Sequence, residues 1–210
     1  MQGSRLLSIA EKTSWAFGVV GVLCWGALAT SVATSARQDL ARFAAMRGDA
    51  PQMSKPDQSL WSPTRVAAWR EALSEPAADP IAVLRIPKIR LEVAVLPGTD
   101  ERTLNRAVGH IEDTAVPGTD GNSGIAGHRD SFFRGLQNIA VGDAIELETL
   151  KGTETYRIER TWIVDPDDVS VLDPTPARSI TLVTCYPFYF VGSAPQRFIV
   201  RAVHVGDQPP

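Results

Sequence analysis

Cysteine is nearly absent from this sequence: Cys24 and Cys185 are the only two in 210 residues. That excludes a disulfide-built scaffold and a four-cysteine zinc site. Histidine is almost as scarce, and His110, His128 and His204 show no close metal-ligand spacing. A basic block is missing: 21 Lys and Arg stand against 24 Asp and Glu, for a formal net charge of -3. Phosphate affinity rests on clustered Lys and Arg, so no nucleic-acid partner is expected. Internal repeats and low-complexity tracts are also lacking. With 44% hydrophobic and 21% charged residues, the composition is that of an ordinary globular protein, neither disordered nor collagen-like. The length allows one domain plus an appendage, or at most two small domains.

Charge itself is missing from one stretch. Residues 13–36 carry none, and the centre of that run reads WAFGVVGVLCWGALA. A helix needs about 20 apolar residues to cross a hydrocarbon core of about 30 Å. The run reads as a transmembrane signal-anchor behind a short tail, residues 1–12, with Trp15 at interface depth. A cleaved secretory signal is the alternative, with Arg5 and Lys12 as its positive region and Ser31-Val32-Ala33 as its cleavage site. Either way, the chain after Ala36 is expected on the far side of the membrane. Cys24 falls mid-span, where packing is its expected role.

Residues 37–61 are polar and carry Gly48, Pro51 and Pro56. They read as a stalk or linker, helical near Leu40 to Met46. Ser62-Pro63 then resembles an N-cap followed by proline at the first helical position. Val66, Trp69, Arg70 and Leu73 predict a short amphipathic helix over 63–74. Beyond it the pattern changes to alternation. Ile81–Ile86, Leu91–Val95, Ser123–Gly127, Ala144–Thr149, Thr155–Val164, Ile180–Cys185 and Arg197–Val205 read as strands. Pro, Gly and Asp clusters separate them, and short helices fit 100–107 and 130–137. Seven or eight short strands with turn signals predict a closed or nearly closed, mainly antiparallel β-barrel over 62–207.

Outside the apolar run Cys185 is the single thiol. It ends the run Thr181-Leu-Val-Thr-Cys185, next to Tyr186-Pro187. A lone cysteine with histidines elsewhere is a candidate nucleophile; a buried, inert thiol is the plainer alternative. A thiol attacks as the thiolate, so it needs a basic or cationic neighbour. Two elements can supply one. Ile125-Ala-Gly-His128-Arg129 ends an apolar strand at a turn. Arg197 starts the last strand, after a gap that suits a strand–loop–strand return to the cysteine.

Together these residues resemble the sortases, membrane-anchored cysteine transpeptidases of bacterial cell surfaces. The resemblance is carried by Thr181-Leu-Val-Thr-Cys185, by Gly121-Asn-Ser-Gly-Ile-Ala-Gly-His128-Arg129, by Arg197, and by the approach from Gly109-His110 to Pro117-Gly118. It covers about residues 60–210. Thr-Cys-Tyr-Pro-Phe, with the preceding Trp69 helix, looks most like class D sortases, including proteobacterial types. The resemblance implies a closed eight-stranded barrel and cleavage of an LPXTG-like C-terminal sorting signal after its threonine. It further implies a Cys185 thioester and transfer to an amine acceptor, either peptidoglycan or a protein lysine. Cys185 would be the nucleophile, His128 the acid and base, and Arg197 the oxyanion donor. The implied location is the cell membrane, single-pass, with the catalytic domain extracytoplasmic.

His110 is expected to support its loop, Arg129 to be structural, and Asp130 to cap the helix after it. Glu112, Asp113 and Asp120 raise calcium binding, but they form no EF-hand pattern, so neither a metal nor another cofactor is expected. Two alternatives stand beside the sortase reading. One is a catalytically silent, membrane-tethered β-barrel that binds a surface protein. The other is an L,D-transpeptidase-like cysteine acyltransferase, although that family sets its cysteine in a Ser-x-Gly-Cys-like context and here Thr184 precedes it.

Overall fold

The computed structural model describes residues 38–46, 56–189 and 192–207. The expected membrane anchor and its alternative cleavage site lie outside these residues. Among the described residues, no helix is long and apolar enough to cross a membrane.

Eight strands form a closed barrel: β1 (Ala82–Ile86), β2 (Leu91–Pro97), β3 (Val108–His110), β4 (Asn122–Ala126), β5 (Ala144–Thr149), β6 (Gly152–Val164), β7 (Ser179–Tyr186) and β8 (Gln196–His204). Their order around the barrel is β1-β2-β3-β4-β7-β8-β6-β5. β5 shows how sequence makes this fold. Its alternate residues Ile145, Leu147 and Thr149 are buried while those between them are partly open, as a two-residue period requires. Closure leaves no unpaired sheet edge. Leu84, Ile125, Leu147, Ile180, Leu182 and Val200 meet in the interior and are fully buried.

The strand missed by alternation is β3, only three residues long. It pairs parallel with β2 and antiparallel with β4. Parallel pairing needs a crossover, and helix α3 (Glu101–Arg106) lies within it. Gly109 in β3 has a steric reason to be glycine, because a Cβ there would sit 2.1 Å from the Gly98 carbonyl oxygen. β4 and β7 are also parallel, so the barrel is mainly, not wholly, antiparallel.

The chain before the barrel is packed onto it. A helix α1 spans residues 38–46, and its Leu40 and Phe43 join the hydrophobic core. Asp39 and Arg106 form a two-bonded ion pair, at 2.7 and 2.9 Å, with both side chains almost fully buried. Arg106 also donates to the Ala72 and Glu75 carbonyls. Trp61 packs edge-on to Trp69 and Phe132. The packed unit therefore starts before residue 62, and the stretch read as linker includes part of it. Helix α2 (Pro63–Ser74) begins as expected: Ser62 accepts from the Arg65 amide, and proline opens the first turn. Its buried face is Trp69, Ala72 and Leu73; Arg70 points outward.

Candidate active site

The register places Cys185 of β7 directly opposite Arg197 of β8. Directly opposed residues on an antiparallel pair lie on the same face. Two residues along, Val183 faces Ile199, and Thr181 faces Arg201. The odd-numbered residues of this pair thus share one face. The even-numbered Ile180, Leu182, Val200 and Ala202 fill the barrel core. Cys185 is therefore on the outer wall, half-buried and unpaired.

β4 completes that wall. Gly124 pairs with Thr181 and Ala126 with Val183. The ladder runs one step further, with the Gly127 amide donating to the Val183 carbonyl at 3.1 Å. Buried Thr184 donates its hydroxyl to the Gly127 carbonyl at 2.7 Å, across an offset of 57 positions. The same offset separates His128 from Cys185. His128 therefore follows directly on Gly127, which is bonded to β7 at Val183 and Thr184, near the end of β7 where Cys185 stands opposite Arg197.

Each side chain is held in a different way. Arg197 donates through Nη1 to the carbonyls of Gln196 and Ala194, at 3.0 and 3.4 Å. It makes no ion pair with a carboxylate among the described residues, so its charge is free to act on a ligand. His128 is 18% exposed. Its Nε2 is buried without a hydrogen-bond partner. Glu101 Oε1 stands 3.7 Å away, beyond hydrogen-bond reach. Burial, and then the Arg65 charge, hold the His128 pKa below its ordinary value, while Glu101 and Asp130 pull it up. The net downward pull favours the neutral imidazole, the form that can accept a proton.

Two loops frame the wall. The β6–β7 loop contributes a short 3-10 turn, Val169–Leu172. It is pinned by Asn122, which donates to the Val171 and Asp173 carbonyls and accepts from Thr181. Arg201 adds a bond to Val171. Val171 and Ile199 are both buried at this end of the wall, apart from the main core. The β7–β8 loop is held by Arg129, which donates to the Pro187 and Gly192 carbonyls at 3.0 Å each. Arg134 donates to Phe188 and lies over the Tyr189 ring. In the β7–β8 loop, residues 190 and 191 lie outside those described.

Three other residues take definite places. His110 bonds within its own turn, to the Ala115 carbonyl and Thr114 hydroxyl. Asp130 is not a cap: the 3-10 helix Phe132–Asn138 has Ser131 at its start and no side-chain cap. Asp130 instead accepts a charge-assisted bond from Arg65 Nε at 3.1 Å. Asp120 pairs with Arg178, and among the described residues no three His, Cys, Asp or Glu gather into a metal site. Sequence spacing missed Arg65 and Glu101 beside His128, since only tertiary packing brings α2 and α3 there.

The model of the Sortase domain family matches residues 84–205, more than half of the chain. The chain belongs to the sortase family. Among relatives, this sortase is 40% identical over 124 residues to Sortase D of Bacillus subtilis, covering 59% of this chain and 63% of that protein. It is 34% identical over 147 residues to Sortase SrtE1 of Streptomyces coelicolor, covering 61% of this chain and 41% of that protein. It thus spans less than two thirds of either relative. Its fold resembles a Clostridium perfringens Sortase D5 transpeptidase, with TM-score 0.63 and 27% identity, covering 82% of this chain and 99% of the other. It also resembles Streptomyces coelicolor Sortase E1 solved with a tripeptide in the active site, with TM-score 0.56 and 32% identity over 62% and 94% of the two chains. The class D likeness read from the residues around Cys185 agrees with the first and third of these.

Proposed function

We propose that this sortase is a transpeptidase that cuts an LPXTG-like sorting signal after its threonine and passes the acyl group to an amine. The observation that supports this reading is the pairing of Cys185 with Arg197 across β7 and β8, with His128 one residue past Gly127, which bonds to Val183 and Thr184 of β7. Neutral His128 takes the Cys185 thiol proton. The thiolate attacks the threonine carbonyl, and Arg197 stabilises the developing oxyanion. The amide C–N bond then breaks, and the imidazolium returns that proton to the leaving amine. A thioester to Cys185 remains. An incoming amine attacks it, gives up a proton to His128, and regenerates the thiol. Covalent catalysis thus divides one hard amide exchange into two acyl transfers, with every proton handled by His128 and no metal or cofactor in the scheme.

The substrate in this reading is a surface protein with a C-terminal sorting signal, and the acceptor is peptidoglycan or a protein lysine. Residues 13–36 anchor the chain in the membrane and leave the barrel extracytoplasmic, where such signals are displayed. The test is a cleavage profile across a sorting-signal peptide library with hydroxylamine as acceptor. Hydroxamate formation that requires Cys185 is the expected result. Absence of product from every peptide, with a Cys185→Ala variant indistinguishable from the parent, points to a binding barrel instead.

A further inference from the structure

We propose that Arg65 is a positioning residue of the active site, holding Asp130 and Glu101 beside the His128 imidazole. The inference rests on the proposed role of His128. Arg65 itself lies outside residues 84–205, which the family model matches. It comes from α2, in the first turn, where Ser62 caps its amide.

The Arg65 side chain is only 18% exposed, and it bonds to two acceptors on two other segments and stands near a third. Nε donates to Asp130 Oδ1 at 3.1 Å. Nη1 donates to the Asn105 side-chain oxygen of α3. The same Nη1 stands 3.8 Å from Glu101 Oε1, and that oxygen is 3.7 Å from His128 Nε2. One carboxylate oxygen is therefore shared between a permanent cation and an imidazole, slightly too far from each for a hydrogen bond. Glu101 is 75% exposed and begins α3, so its side chain has room to move.

This geometry responds to the charge of the imidazole. While His128 is neutral, Arg65 is the only cation among the described residues within ion-pair distance of Glu101. Once His128 carries the thiol proton, Glu101 has a second cation within 4 Å and moves toward it. The carboxylate thus favours the protonated state that forms during the reaction over the resting one, as a catalytic interaction must. Arg65 also ties Asp130, two residues after His128, to α2 and fixes the turn that carries the imidazole. The charged groups that act on His128 are Arg65 from α2, Glu101 from α3 and Asp130 from its own loop; Cys185 and Arg197 are the titratable and charged groups at the end of the neighbouring β7–β8 pair. Removing Arg65 leaves two uncompensated carboxylates near the ring; removing the Glu101 charge leaves the cation dominant.

The two changes must therefore move His128 in opposite directions. The experiment follows the His128 imidazole by NMR titration in the full chain, together with the pH profile of kcat/KM for peptide cleavage. Arg65→Gln is expected to raise the His128 pKa, to move the acid limb of the profile to higher pH, and to lower kcat by about 10- to 100-fold. Arg65→Lys restores part of each change. Glu101→Gln, at an exposed position that tolerates the change, shifts titration and acid limb to lower pH. Shifts of the same sign in Arg65→Gln and Glu101→Gln overturn the proposal, as does an unmoved titration in Glu101→Gln with an active parent. Opposite shifts in a chain that cleaves no peptide sustain the arrangement around His128 and overturn the transpeptidase reading alone.

Discussion

Arg197 and Cys185 are cross-strand partners, and that single register fact sets what each substitution does. Arg197→Ala removes a permanently charged donor from the position opposite the proposed nucleophile Cys185. A loss of about 10²–10³ in kcat is expected. Arg197→Lys recovers only part, because an ammonium cannot present the guanidinium's planar fork. Steady-state peptide cleavage checks both. His128 has a second readout. Its native pKa lies below the ordinary 6.5, so at intermediate pH the unfolded chain binds a proton that the native state refuses. Its contribution to stability is fully present above 6.5 and is lost as pH falls through the native pKa. Urea midpoints measured from about pH 8 down to 5 should fall more steeply in the parent than in His128→Gln. Equal slopes contradict this assignment of the pH dependence to His128. At this scale the three proposed side chains are legible in the sequence as candidates, because each sits in a short motif at a strand end. Arg65 was not, since its distance from His128 along the chain carries no periodic signal.

Elements before the barrel do more than connect. α1 is locked to the domain by Asp39 and Arg106, which bond to each other and, through Arg106, to the end of α2. Asp39→Ala leaves a guanidinium buried without its carboxylate, and such a loss costs about 3–5 kcal/mol. Replacing both partners with Asp39→Leu and Arg106→Met removes the charge as well as the bond, and should recover much of that loss. Urea unfolding of the two variants tests the claim; equal destabilisation contradicts it. The buried pair was hidden from sequence reading because both residues sit in polar surroundings. Most strands were legible, since alternation and turn residues mark them. β3 was not: Val108-Gly109-His110 is too short to show a period, and its pairing depends on the crossover through α3.

The described residues are built around a barrel, and the proposed chemistry lies on its outer wall, between two loops pinned by Asn122, Arg201, Arg129 and Arg134. Neither loop's anchoring could be read from the chain alone, because each depends on side chains meeting backbone carbonyls many positions away. The scarcity of cysteine takes on meaning here. Cys24 falls in the charge-free run and Cys185 is left as the single thiol of the barrel, where a nucleophile has to be unpaired. The proposed chemistry turns on Cys185 carrying the acyl group. Intact-mass measurement of the full chain, mixed with a sorting-signal peptide and quenched in acid, decides it. The expected result is a mass gain equal to the peptide acyl fragment ending in threonine, located on Cys185, discharged by hydroxylamine and missing from Cys185→Ala. Peptide cleavage that proceeds unchanged in Cys185→Ala, or an active chain that never gains this mass under any quench, rules out the thioester.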